Sequence, residues 1–218
     1  MDPSRFFSEA DRRAVSEATR EAERRTSGEI VPYVVGSCDD YSGAAWKAAV
    51  CGALAGAACG LAIHVIGDFW GGSPALWVMT PALFLGVLGF CLCRRVAAVR
   101  RSFVPDEILD LRARRRAAVA FLEEEVFLTR DRTGILIFVA LFERRVVVLG
   151  DEGINRVVPD GTWQRVVADV IEGIKAGRPA AALIDAIADC GRLLETHRVD
   201  IRTDDRDELD NLLRLRER

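Results

Sequence analysis

Ile135-Leu136-Ile137-Phe138-Val139-Ala140-Leu141-Phe142 is an unbroken apolar run in which β-branched and aromatic side chains recur. A strand that is apolar at every position has no face to offer water, so the run predicts a central strand with helices above and below it. Thr129-Arg130-Asp131-Arg132-Thr133-Gly134 is the turn that leads in. Glu143-Arg144-Arg145 makes a tight reversal into Val146-Val147-Val148-Leu149, an antiparallel neighbour. That second strand ends in a glycine-bracketed acidic turn, Gly150-Asp151-Glu152-Gly153-Ile154-Asn155.

Working outward from this pair, Val104-Pro105-Asp106-Glu107 starts a helix, with Pro at the first position and acids at the positive end of the dipole. It is expected to run to about Leu128, with Leu111, Ala118, Leu122 and Val126 inward and the arginines 112–116 facing solvent or headgroups. Beyond the acidic turn, Asp160-Gly161-Thr162-Trp163 begins a helix with Val166, Val167, Val170, Ile171 and Ile174 inward. Arg178-Pro179 restarts one whose inner face holds Leu183, Ile184, Ile187 and Leu194. His197 to Arg202 reads as a short edge strand or coil, and the tail from Asp204 as a solvated, fraying helix.

At the other end, Ser8 and Asp11 have the spacing of a capping box, and Ala10, Ala14, Ala18 and Ala22 form a small-residue stripe beside Val15. Thr26-Ser27-Gly28 stops this helix, and Glu29-Ile30-Val31-Pro32-Tyr33-Val34-Val35 follows as a β-branched run. Pro32 has no N–H for a ladder, which predicts an edge or bulged strand.

Between that strand and the helix after Pro105 lies a stretch, residues 48–93, whose one formal charge is Asp68. Its two arms, Ala48–Ile66 and Ala75–Cys93, are each about the ~20 residues that cross a ~30 Å hydrocarbon core. Gly67, Asp68, Gly71, Gly72 and Pro74 make the turn between them. Trp46 stands at the entrance, and Trp70 and Trp77 mark the far interface. Gly52, Gly56 and Gly60 share one helical face, which permits close van der Waals packing in lipid. The partner of that face is either the second arm or the same helix in another copy. His64 has no acid at helical spacing and reads as an interfacial or loop-facing imidazole, not a proton relay.

Lys47 precedes the first arm and Arg94, Arg95, Arg100 and Arg101 follow the second. By the positive-inside rule both termini face the cytoplasm, and these arginines sit at the membrane surface. The charged N-terminus, MDPSRFFSEADRR, lacks the apolar core of a secretory signal, in keeping with a domain held inside at a cytoplasmic, or inner, membrane.

The net charge is −3, so the basic cluster after the hairpin is a local feature better suited to anionic headgroups than to nucleic acid. Four of the six cysteines lie in the arms and no zinc spacing occurs. With two histidines and no GxSxG, GxxxxGK[ST] or GxGxxG, neither a serine triad nor a nucleotide site has motif support. Asp205-Arg206-Asp207 mimics an Asp-x-Asp phosphoryl acceptor but sits in a polar tail.

Because the 135–149 strand pair is antiparallel, the start of its first strand and the end of its second lie side by side, which brings Asp131 near Asp151 and Glu152. These carboxylates suit an oxygen-loving cation, Ca²⁺ or Mg²⁺. The plainer reading has Asp131 capping its turn and Asp151 pairing with Arg132 or bonding the backbone of its own turn.

The order of these blocks, over residues 5–36 and 105–198, resembles the TPM domain family: Thr-Ser-Gly-Glu-Ile-Val, Thr129–Gly134, Ile135–Phe142, Glu143-Arg144-Arg145, Leu149–Ile154, Trp163 and two closing helices. The resemblance implies a helix–sheet–helix sandwich, divalent-cation binding as in some bacterial members, and a weak acid phosphatase activity as in plant members. It carries Asp131 and Asp151 over as the matching acidic positions.

The expected architecture is therefore α/β (α+β): a three- to four-stranded mixed sheet with helices on both faces, interrupted by an inserted two-helix transmembrane hairpin. Residues 1–43 supply the first helix and strand, 44–93 the hairpin, 94–203 the rest of the domain and 204–218 a polar tail. The expected role is assembly or regulation of a membrane protein partner, with the lipid bilayer as the other contact and self-association through the Gly52/Gly56/Gly60 face as a further option. The alternative is a metal-assisted acid phosphatase at the same carboxylates.

Overall fold

The computed structural model describes residues 2–67, 73–159, 161–196 and 209–217. In chain order its elements are α1 (Glu9–Glu23), β1 (Glu29–Val35), α2 (Ser42–Ile66), α3 (Pro74–Arg95), α4 (Ala97–Ser102), α5 (Asp106–Glu123), β2 (Gly134–Ala140), β3 (Arg145–Gly150), α6 (Glu152–Val157), α7 (Thr162–Lys175), α8 (Pro179–Thr196) and β4 (Arg214–Arg216). Single 3-10 turns cover Pro3–Arg5 and Val126–Leu128. Two compact units result: residues 1–38 with 109–218, and residues 39–108.

The first unit is built on a four-stranded mixed sheet of order β3-β2-β1-β4. β1 runs parallel to both β2 and β4, and β2 is antiparallel to β3. Every residue of β2 is buried, as its unbroken apolar run requires. Ile135, Ile137 and Val139 face one core, closed by Val166 and Val170 of α7 and by Leu183, Ile187 and Leu194 of α8. Leu136, Phe138 and Ala140 face the other, closed by Ala113, Ala117 and Ala120 of α5.

Four expectations about this unit are corrected. β1 is an interior strand, buried at all seven positions, and not an edge. Pro32 is tolerated because of where its nitrogen points. The N–H of Glu29 goes to Thr133 on the β2 side, whereas those of Ile30 and Gly36 go to Glu23 Oε1 (2.8 Å) and to the Arg216 carbonyl on the other side. Pro32 shares the even register, and β4 pairs only from Tyr33 onward, so no ladder bond is forfeited.

The tail supplies β4, where a solvated helix was expected. Leu213-Arg214-Leu215-Arg216 has the period-2 alternation of a strand: the leucines join the α7/α8 core, and the arginines reach Glu124 at 2.9 and 3.6 Å. The expected short edge strand or coil over His197–Arg202, the start of the tail at Asp204 and the Asp205-Arg206-Asp207 motif lie outside the described residues, as do Asp68, Trp70 and Asp160.

On α5 the inward face is Leu109, Ala113, Ala117 and Ala120, not the Leu111, Ala118 and Leu122 stripe. Leu111 and Leu122 are exposed, while Val126 is buried from the 3-10 turn beyond the helix end. The choice follows from volume, because a stripe of alanines lets a helix axis approach a sheet that carries Tyr33 and Phe138. On α1 the buried side is likewise Val15, Thr19 and Ala22, with Ala10 and Ala14 outside.

The second unit is the hairpin. α2 and α3 are both long and apolar enough to cross a membrane, and little of either is buried. They pack antiparallel through the glycine face: a Cβ on Gly52, Gly56 or Gly60 would collide with the carbonyls of Leu85, Pro81 and Trp77 respectively. Pro81 has no N–H to return to the Trp77 carbonyl one turn earlier, and that carbonyl is the one lying against Gly60. The glycine face is thus occupied within the chain.

Candidate functional site

β1 and β2 start, and β3 ends, at one edge of the sheet, which gathers the acidic turn and the turn before β2. The hairpin register pairs Ile135 with Gly150 and continues into the loops, where the Asp151 N–H donates to the Gly134 carbonyl (2.9 Å) and the Gly153 N–H to the Arg132 carbonyl (2.9 Å). Gly153 is required here, since a Cβ would strike the carbonyls of Asp131 and Arg132. Asp131 and the 151–153 turn therefore lie backbone to backbone.

The side chains are used for neutralisation and capping. Asp151 is buried, with about 5% of its surface exposed. Its Oδ1 accepts the Glu152 N–H (2.7 Å) as the N-cap of α6 and accepts from Arg132 Nη2 (3.1 Å), while Oδ2 lies 2.9 Å from Arg132 Nε. This is a forked guanidinium–carboxylate pair. Arg132 holds a left-handed backbone, φ 58°, and its guanidinium stands over the Phe127 ring at 6.0 Å. Glu152 turns outward to Arg156, 2.5 Å away, and Asp131 is exposed.

The edge thus brings all three expected acids into one neighbourhood. Among the described residues, however, no three His, Cys, Asp or Glu side chains converge as a ligand set. A cation fits Asp151 only by exchange with Arg132.

The opposite edge holds a carboxylate that the sequence reading passed over. Glu143, in the β2–β3 reversal, is fully buried, and its Oε1 accepts the Cys38 N–H (2.8 Å) and the Ser37 hydroxyl (3.4 Å). A glutamate flanked by Phe142 and two arginines looks like an ordinary exposed turn, so only its position next to an eight-residue apolar run hints at burial. Tyr33 is similarly employed: its hydroxyl accepts from Arg116 Nη2 (2.7 Å), and burial raises its pKa above the usual phenol value.

The basic residues expected at a membrane surface lie in the hairpin unit. Arg94 and Arg95 end α3, with Arg94 over the Phe90 ring at 5.8 Å, and Arg100 and Arg101 end α4, with Arg101 3.2 Å from Asp106.

An α+β sandwich on a four-stranded mixed sheet, interrupted after its first strand by an apolar helical hairpin, is the class of protein this chain represents. Residues 105–193 match the family model described as the TPM domain. No curated protein matches the sequence significantly. Among solved structures, the BA42 protein of the psychrophilic bacterium Bizionia argentinensis, determined by NMR, is similar over 96% of this chain and 95% of its own, with 20% identity and a TM-score of 0.57. Likeness at that identity speaks for the fold alone.

Proposed function

We propose that the protein is a TPM domain anchored in the cytoplasmic membrane by α2 and α3, acting from the cytoplasmic side in the assembly or regulation of a membrane protein partner. The observation that carries the anchor is the outer surface of the hairpin. Leu54, Leu61, Val65, Leu83, Phe84 and Val87 are each more than half exposed, while the glycine face is filled. Apolar side chains of this size displayed over two long helices are unfavourable in water by about 25 cal/mol per Å² and are satisfied by hydrocarbon.

At the acidic edge, Ca²⁺ or Mg²⁺ is taken up by competition: the ion replaces Arg132 on Asp151, with Glu152 and Asp131 as the neighbouring oxygen donors. Regulation then consists in trading an internal ion pair for a bound cation. The geometry favours this over hydrolysis, because the buried carboxylate is held as a cap and a counterion.

The test is calorimetry on the full chain with Ca²⁺, together with release of phosphate from a generic monoester. Arg132→Gln should strengthen cation binding and Asp151→Asn should abolish it, with phosphate release absent throughout. No heat from either the wild type or Arg132→Gln would remove the cation from the proposal. Phosphate release lost in Asp151→Asn would replace it with the enzyme reading.

A further inference from the structure

The sheet edge remote from the acidic turns opens into a cavity of about 410 Å³. Its floor is the apolar end of the β2–β3 pair, Leu141 and Val146, together with Ile174 of α7, and half-exposed Phe6 stands on its rim. Three cations also line it: Arg145, which lies 3.7 Å from Asp110, and two others, Arg144 from the reversal and Lys175 from the last turn of α7. Both are exposed, and among the described residues neither has an acidic partner. Elsewhere in the same unit the arginines beside the sheet are matched, Arg132 with Asp151 and Arg214 with Glu124. Two unmatched cations above an apolar hollow present the chemistry that receives an anionic amphiphile: a phosphate for the charges, and aliphatic carbon for the floor.

The chain's own path says where such a molecule comes from. Glu143, one residue before Arg144, holds the Cys38 N–H, and Cys38 stands four residues before the start of α2. This edge of the sheet is the one from which the chain passes to the apolar hairpin.

We propose that the cavity binds an anionic phospholipid of the membrane that the hairpin crosses, its phosphate on Arg144 and Lys175 and the first carbons of its acyl chains on Leu141, Val146 and Ile174. The proposal rests on the anchored reading above. Short-chain lipids presented from solution test the cavity apart from the anchor, so failure of one is distinguishable from failure of the other.

The full chain, held in amphipol, is titrated calorimetrically with dioctanoyl phosphatidylglycerol, dioctanoyl phosphatidylcholine, glycerophosphoglycerol and inorganic phosphate, the lipids below their micelle concentrations. Saturable binding of the anionic lipid is expected, with the zwitterionic lipid and both chain-free phosphates weaker by about tenfold or more. Arg144→Gln with Lys175→Gln should weaken anionic-lipid binding by about tenfold, and Phe6→Ala should weaken the lipid without changing the chain-free phosphates. Arg94→Gln with Arg95→Gln should leave it unchanged. Because residues 144 and 175 are exposed, each single variant gives a folded second reading. Equal binding of the two lipids would overturn the proposal. So would equal binding of inorganic phosphate, which marks a free-anion site, or loss in the Arg94/Arg95 variant, which marks diffuse attraction to the basic flank.

Discussion

Single side chains in this protein close backbone accounts that secondary structure leaves open. Ser8 accepts the Asp11 N–H and Asp11 returns the bond to the Ser8 N–H (2.9 Å), while Glu23 takes the Ile30 N–H where β4 does not reach. The Ser8 hydroxyl and N–H hold the Asp11 carboxyl below its ordinary value. A depressed carboxyl contributes stability that is present above the unfolded carboxylate pKa and lost as pH falls through the lower folded value. Ser8→Ala should therefore cost about 1 kcal/mol near neutrality, read as a Tm lower by about 2–4 °C. The difference from wild type should shrink in acid, below the folded value of Asp11. Asp151→Ala removes a cap and leaves Arg132 unmatched, so a loss of about 1–3 kcal/mol is expected from the same measurement. Cys190 is a different case, since burial, with Asp189 beside it, pushes its thiol up to about 12. It should resist alkylation in the folded protein and react only on unfolding.

At the level of elements, α5 has apolar residues on two faces, and only one of them meets the sheet. Leu111→Glu with Leu122→Glu should leave the unfolding midpoint within about 0.5 kcal/mol, because both positions are exposed. Ala117→Leu should lose about 1–3 kcal/mol by overpacking against Tyr33 and Phe138, and an unchanged midpoint would contradict the packing described for that face. The same helix shows what could be read from the sequence and what could not. The buried β2, the β2–β3 hairpin and the adjacency of Asp131 to Asp151 followed from uninterrupted hydrophobicity and a short reversal, which are local signals. The inner face of α5 did not, because large apolar residues outnumber the alanines and the choice depends on how closely the sheet approaches. Pro32 misled in the same way: whether a missing N–H matters depends on which side its neighbour lies, and that neighbour comes from residues 214–216, about 180 positions away. The candidate site was legible as a place, through Asp131, Asp151 and Glu152. The pairing of Asp151 with Arg132 was among the plainer readings of those residues, but that Asp151 makes this pair and caps its own turn at once depends on side-chain geometry that composition does not carry.

For the molecule as a whole, the insertion of a hairpin after β1 makes orientation a single question for both ends of the domain. A cysteine placed at Ser73, in the exposed segment before α3, should label from outside intact cells in a background lacking Cys38. Protection of that position, with labelling only after lysis, would reverse the assignment. Removal of residues 209–218 should expose the edge of β1 and strip Glu124 of both arginines, lowering the unfolding temperature and promoting aggregation through the bared strand. The strand order also sets a timetable. β1 leaves the ribosome roughly a hundred residues ahead of its partner β2, with the whole apolar hairpin translated in between, and long-range parallel pairing of this kind is slow to form. β4 follows β1 by about 180 residues, so its place beside β1 stays vacant until all the other strands have been translated. The apolar hairpin is thus complete while the sheet is still open, and closure of the sheet becomes a late event that waits on β4.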